Sequence, residues 1–191
     1  ICSGIRFGKT LGSPIGLIIK NNDWKNWQSK MSVSEIEEKI KKITIPRPGH
    51  ADLAGLQKYN FNDIRNVIER SSARETTMRV ALGSVCRKLL EEFDIFVGSY
   101  VNSIYNVTDK KDYSNISPLE MNKRADLSQV RSLNKNLAEK MINEISKAKD
   151  KGDSVGGSFS VQISGVPFGL GGYTVWDKKL NARLGQALLS I

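Results

Sequence analysis

Arg47, His50, Arg70, Ser71, Ser72 and Arg74 are the residues of this chain whose types and spacing could do chemistry. They fall in two clusters, Arg47-Pro48-Gly49-His50-Ala51-Asp52 and Arg70-Ser71-Ser72-Ala73-Arg74-Glu75-Thr76, joined by a short connector that carries Lys58 and Arg65. Arginine carries a planar fork of donors that grips phosphate or carboxylate through two bonds at once. The serine pair reads as a helix start, where unpaired N–H groups and the positive end of the dipole favour an anion. His50 is the chain's only histidine. Histidine ordinarily titrates near neutrality, which makes it the default proton donor or acceptor. These types predict a polyanion site with one acid–base group. Each residue also has a plainer reading. A lone histidine is more often a surface or hydrogen-bonded structural residue, serines at a helix start are usually caps, and the arginines could be solvated or paired with Glu69 and Glu75.

The elements that must position these residues follow from periodicity. Residues 62–68 read as a helical turn or two that delivers Arg70 to a long helix over about 72–93. Ser72 and Glu75 form a capping-box pattern there, and Thr77, Val80, Ala81, Ser84, Val85 and Leu89 recur at helical spacing. The small residues Ala81, Gly83 and Ser84 predict close packing against another element. Upstream, residues 1–7 and 15–20 read as strands of a hairpin joined by the turn-rich segment 8–14. Residues 23–31 form a tryptophan-containing loop. A short helix follows, with Ser34 and Glu37 as its capping box and Ile36, Ile40 and Ile43 on one face, ended by Pro46 and Pro48.

Downstream, residues 95–107 alternate as a strand with one mostly apolar face, and 108–127 read as polar and irregular. Leu133, Leu137, Met141 and Ile145 mark an amphipathic helix over 129–149, stopped at Gly152. Residues 158–163 are a strand, 165–172 a glycine-rich turn, and Leu180, Leu184, Ala187 and Leu188 a last helix. Irregular alternation of strands and helices predicts an α+β class.

The chain has 191 residues, 39% hydrophobic and 26% charged, the composition of one soluble globular domain. No apolar run approaches the roughly 20 residues of a membrane span, so no membrane partner is expected. Cys2 and Cys86 lie far apart without a CxxC or Cys/His cluster, so neither a metal site nor a disulfide framework is implied. Cys86 reads as a small core residue. The net charge of +9 admits nucleic acid, an anionic surface or small polyanions as partners. Lysines scatter over 25–42 and 135–151, arginines gather around the two clusters, and only 7% of residues are aromatic. A nucleic-acid protein more often shows a continuous basic stripe with interleaved aromatics. Small polyanions are therefore favoured; a nucleic-acid domain and a phosphate-binding or protein-interaction module remain as alternatives.

The run Arg47 to Asp52, followed by Glu69-Arg70-Ser71-Ser72-Ala73-Arg74-Glu75-Thr76-Thr77-Met78-Arg79-Val80, resembles the chorismate synthase family. Further matches are Arg6 to Ile15, Asp23-Trp24-Lys25-Asn26-Trp27, Ser164-Gly165-Val166-Pro167, Gly169-Leu170-Gly171, Trp176-Asp177 and Ser190-Ile191. The resemblance implies an α+β fold of antiparallel sheets sandwiching central helices. It implies a lyase of the shikimate pathway, which makes aromatic amino acids. That enzyme converts 5-enolpyruvylshikimate 3-phosphate to chorismate and phosphate with reduced FMN; NADPH is a candidate reductant. On matching positions, Arg70, Ser71 and Ser72 would contact FMN. Arg47 and Arg74 would hold the substrate, and His50 would be catalytic. A cytoplasmic homotetramer is the implied assembly, without nucleic acid. The family's Gly-Glu-Ser-His-Gly and Lys-Pro-Thr-Ser-Ser motifs do not occur in these residues. Residues 1–191 are accordingly expected to be a single domain, an interior part of a catalytic domain that is inactive alone.

Overall fold

The computed structural model describes residues 1–37 and 39–191. The protein is α+β, with small antiparallel sheets and helices. It forms two compact units, residues 1–84 and 85–191. Among the described residues no helix is long and apolar enough to cross a membrane.

In the first unit, β1 (Ile5–Arg6) pairs with β2 (Lys9–Thr10). Phe7 and Gly8 both have positive φ, 49° and 75°, which closes a two-residue turn whose twist suits antiparallel strands. The hairpin is therefore tighter than the sequence suggests. Residues 15–20 form no strand, only a bridge from Gly16 to Ser3. The helix expected from Ser34 is absent from residues 34–37 and 39–43, and its remaining position lies outside the described residues. The segment is instead tied across the chain to residues 64 and 65. Arg65 donates to the Lys41 carbonyl and the Ile64 N–H to that of Ile43. Tertiary hydrogen bonds outweigh a weak local propensity here.

The connector forms a helix that periodicity did not reveal, α1 (Asp52–Tyr59). It ends at Asn60, whose left-handed φ of 52° turns the chain. α2 (Arg65–Ser71) packs against it where Gly55 meets Val67, and a Cβ on Gly55 would lie 2.6 Å from a Val67 methyl. The long helix α3 (Ala73–Glu91) forms as expected, but none of its residues is buried. Val80, Leu82 and Leu89 are exposed, and a Cβ on Gly83 would meet nothing within 4 Å. Cys86 is likewise exposed, not a core residue. The close packing expected at Ala81, Gly83 and Ser84 has no counterpart among the described residues.

The second unit is built on β3 (Phe96–Ile104), flanked by β4 (Val107–Thr108) and β5 (Gly157–Ser164) in an antiparallel sheet ordered β4-β3-β5. Residues 118–126, expected to be irregular, instead form α4 (Pro118–Asp126). Ser117 caps it by accepting from the Glu120 N–H, the first half of a Ser-x-x-Glu capping box visible in the sequence. Met121 and Ala125 of this helix are completely buried, as is Met141 of α5 (Lys135–Asp150), so these helices supply the core. Asn122 ties α4 to the sheet, accepting from the Ser99 N–H and donating to the Val97 carbonyl. Tyr113 is held in the same core with its hydroxyl on Asp109; burial first, then that hydrogen bond, raises its pKa. The last helix, α6 (Leu180–Leu189), follows the glycine-rich turn.

Candidate functional site

All six candidate residues lie in the first unit, at the two ends of the α1–α2 pair. The loop before α1 carries Arg47 and His50. Gly49 has a φ of 71°, a conformation that lets the chain turn back so that His50 and Asp52 follow closely on Pro48. His50 is exposed, and its Nδ1 lies 3.0 Å from the Pro48 carbonyl. A carbonyl can only accept, so Nδ1 carries the proton and Nε2 is the nitrogen left to exchange one.

Asp52, to which the sequence assigned no role, anchors this loop. Its carboxylate is completely buried. It accepts from the Arg47 Nε and Nη2 at 2.9 Å each, and from the Arg47 backbone N–H at 2.9 Å. The guanidinium bonds, then the backbone bond, hold the Asp52 pKa at about 2, and Asp52 in turn raises that of Arg47. The carboxyl has a pKa of 3.8 in an unfolded chain and about 2 here. Its contribution to stability is therefore complete above the unfolded value and lost as pH falls through the folded one. Asp52→Asn should flatten the acid limb of a plot of urea midpoint against pH between those two values. An unchanged limb would show that the pair does not couple protonation to folding.

The other end of the helix pair carries Arg70 and Ser71, which close α2 instead of opening a helix. Arg70 thus stands at a negative dipole end, a favourable place for a cation. Ser72 is the break between α2 and α3, and its hydroxyl accepts from the Arg74 N–H at 3.2 Å. The expected capping box is thus replaced by a simple cap: the Ser72 hydroxyl takes the Arg74 N–H in place of that of Glu75, and the Glu75 carboxylate reaches Arg79. Arg74 donates to Glu69 at 2.7 Å, with both side chains half-exposed. A surface pair of this kind is worth little, so an anionic ligand can compete for the guanidinium.

Arg70 and Ser71 line a cleft of about 620 Å³ with Ala51, Gly55, Lys58, Tyr59, Phe61 and Asn66. Ala51 follows His50 directly, so both clusters border one cavity. Tyr59 and Phe61 stack with ring centroids 5.6 Å apart and give it an aromatic wall. The Ser71 hydroxyl is shut off from solvent and has no hydrogen-bond partner among the described residues. A buried hydroxyl in that state is costly unless a ligand satisfies it. Two cations, an orphan hydroxyl and an aromatic wall fit a flat phosphorylated group, and the volume falls in the range of small-molecule sites. Lys58, Tyr59, Phe61 and Asn66 went unnoticed in the sequence because only the turn at Asn60 brings both ends of the connector onto one cavity.

Similarity to known proteins covers the same residues. The family model described as chorismate synthase matches residues 1–191. The protein named chorismate synthase in Alkaliphilus metalliredigens is 50% identical over 191 residues, and that of Enterococcus faecalis is 52% identical over 194. Each aligns with 100% of this chain and 50% of its own length, so the chain spans about half the length of the curated relatives it matches. A crystal structure of chorismate synthase matches 100% of this chain and 51% of its own, with a TM-score of 0.77 at 40% identity.

Proposed function

Because the chain belongs to the chorismate synthase family, we propose that it supplies part of the catalytic centre of a carbon–oxygen lyase. The reaction is the 1,4-elimination of phosphate from 5-enolpyruvylshikimate 3-phosphate to give chorismate. The observation that carries this reading is the cleft shared by Arg70 and Ser71, bordered by the loop that presents His50. The exposed apolar side chains on opposite sides of α3, Val80 on one and Leu82 with Leu89 on the other, support residues 1–191 being an interior part of a larger catalytic domain.

In this reading Arg70, Ser71 and Ser72 hold FMN, the Ser71 hydroxyl turning out of its buried position to gain the partner it lacks. Reduced FMN, held there, would lend an electron that eases loss of phosphate and recover it as the hydrogen leaves, so that the elimination stays redox-neutral; NADPH is a candidate for reducing the flavin beforehand. Arg47 and Arg74 hold the substrate's anionic groups and neutralise charge as phosphate departs; preorganised cations do this most effectively where water is excluded. Arg74 exchanges Glu69 for the substrate. His50 would donate a proton from Nε2 to the reduced flavin, its Nδ1–H remaining on the Pro48 carbonyl. A cytoplasmic homotetramer belongs to the same reading.

The test is phosphate release from 5-enolpyruvylshikimate 3-phosphate under anaerobic conditions with reduced FMN, using these 191 residues and the protein expressed from its complete reading frame. Release by the longer protein alone is the expected result. Release by neither, with both folded, would remove the lyase reading and favour a phosphate-binding module.

A further inference from the structure

Asp52 spends all its hydrogen bonds to Arg47 on one side of the guanidinium. Nε and Nη2 form one of the two flat edges that an arginine can offer to an oxyanion, and both point at the carboxylate at 2.9 Å. The other edge, Nη1 with the second hydrogen of Nη2, is not used by Asp52. Burial gives the arrangement a direction, since Asp52 is completely buried while 40% of the Arg47 side chain is exposed. The carboxylate therefore lies on the inner side and the guanidinium reaches outward. The third bond comes from the Arg47 backbone N–H to the same Oδ2, so main chain and side chain of one residue are fixed by one carboxylate. A long side chain held at both ends has already lost the rotamer freedom that ligand binding would otherwise remove.

We propose that Asp52 is a positioning residue that commits the inner edge of Arg47, leaving the Nη1–Nη2 edge as the face that receives the substrate's anionic group. The assignment rests on the proposed role of Arg47 in substrate binding. It makes Arg47 a pre-set, end-on ligand, unlike the freely moving fork that its sequence position suggests. Asp52 acts on affinity through Arg47 and touches no substrate.

The experiment is steady-state kinetics on the protein from its complete reading frame, with Asp52→Asn, Arg47→Lys and the double variant. Asparagine keeps the size of Asp52 but turns one acceptor into a donor facing Arg47. Lysine keeps the charge of Arg47 without either flat edge. The expected result is a rise in KM of about tenfold or more for each single variant with kcat changed much less, and a double variant no worse than Arg47→Lys, because the two residues act as one unit. An unchanged KM in Asp52→Asn, or a double variant whose loss is the product of the single losses, would overturn the proposal. A merely structural Asp52 would lower the active fraction and leave KM in place. Should Asp52→Asn fail to fold, a crystal structure of the wild-type protein soaked with pyrophosphate decides. An anion on the outer edge with the Asp52 pair intact supports the proposal; an anion that displaces Asp52, or none at Arg47, overturns it. Wild-type protein that releases no phosphate would remove the lyase reading instead, and the soaked crystal would still report on the edge.

Discussion

Replacing His50 with alanine is expected to lower the kcat of the complete enzyme by about 10²- to 10⁴-fold, the usual contribution of a positioned acid or base. KM for the phosphorylated substrate should stay within a few-fold, because Arg47 and Arg74, the cations proposed to hold it, are untouched. The geometry allows a sharper version of this test. Nδ1 of His50 is occupied by the Pro48 carbonyl, so the imidazole has a structural nitrogen and a chemical one. Asparagine places an N–H near the Nδ1 position but has nothing at Nε2. His50→Asn should therefore be as slow as His50→Ala if the residue moves a proton. Recovery of turnover in the asparagine variant would show that His50 only braces the loop.

Gly98→Ala is expected to destabilise the second unit by about 3 kcal/mol or more, at the upper end of the range for overpacking a core. Gly98 is the buried third residue of β3, against the first turn of α4. A Cβ there would sit 2.5 Å from the Pro118 carbonyl oxygen and 2.7 Å from the Pro118 Cα. Both atoms are backbone and Pro118 has a fixed φ, so no side chain can swing aside. Relief requires lifting α4 from the sheet, which would break the Asn122 bonds to Val97 and Ser99 and loosen Met121. A shift in the urea midpoint measures the effect. A loss under 1 kcal/mol would mean that α4 rides on the sheet more loosely than these distances state. The control is Gly83→Ala, where a Cβ meets nothing within 4 Å and helix propensity alone predicts a small gain.

Much of the scaffold could be read in the chain because it rests on local pattern. α3 and α5 follow from apolar residues at helical spacing, and β3 and β5 from alternation; such patterns survive in any context that offers a core. α4 was also written locally, in Ser117 and Glu120, but the polar stretch around it hides the two residues that are completely buried, Met121 and Ala125. The segment from Ser34 shows the reverse case. Its capping box and isoleucine spacing are genuine local signals, yet no helix forms among its described residues, and the Lys41 and Ile43 carbonyls accept from Arg65 and Ile64 across the chain.

For the candidate site, residue types determined the chemistry proposed: an arginine-rich pair of clusters suited to a polyanion, with one side chain suited to proton transfer. Which atoms remain available was decided only by the fold. Spacing alone does not show that Asp52 is buried and claims one edge of Arg47, that Pro48 claims one nitrogen of His50, or that Arg74 rests on Glu69. Nor does it show that Ser71 ends a helix with an unpaired hydroxyl beside the cleft. The physical reason is the same in each case. Charge type and ordinary proton affinity belong to a side chain and are carried by the sequence, whereas burial, hydrogen-bond occupancy and the pKa shifts they cause depend on neighbours that only the packed chain brings within 3 Å or so.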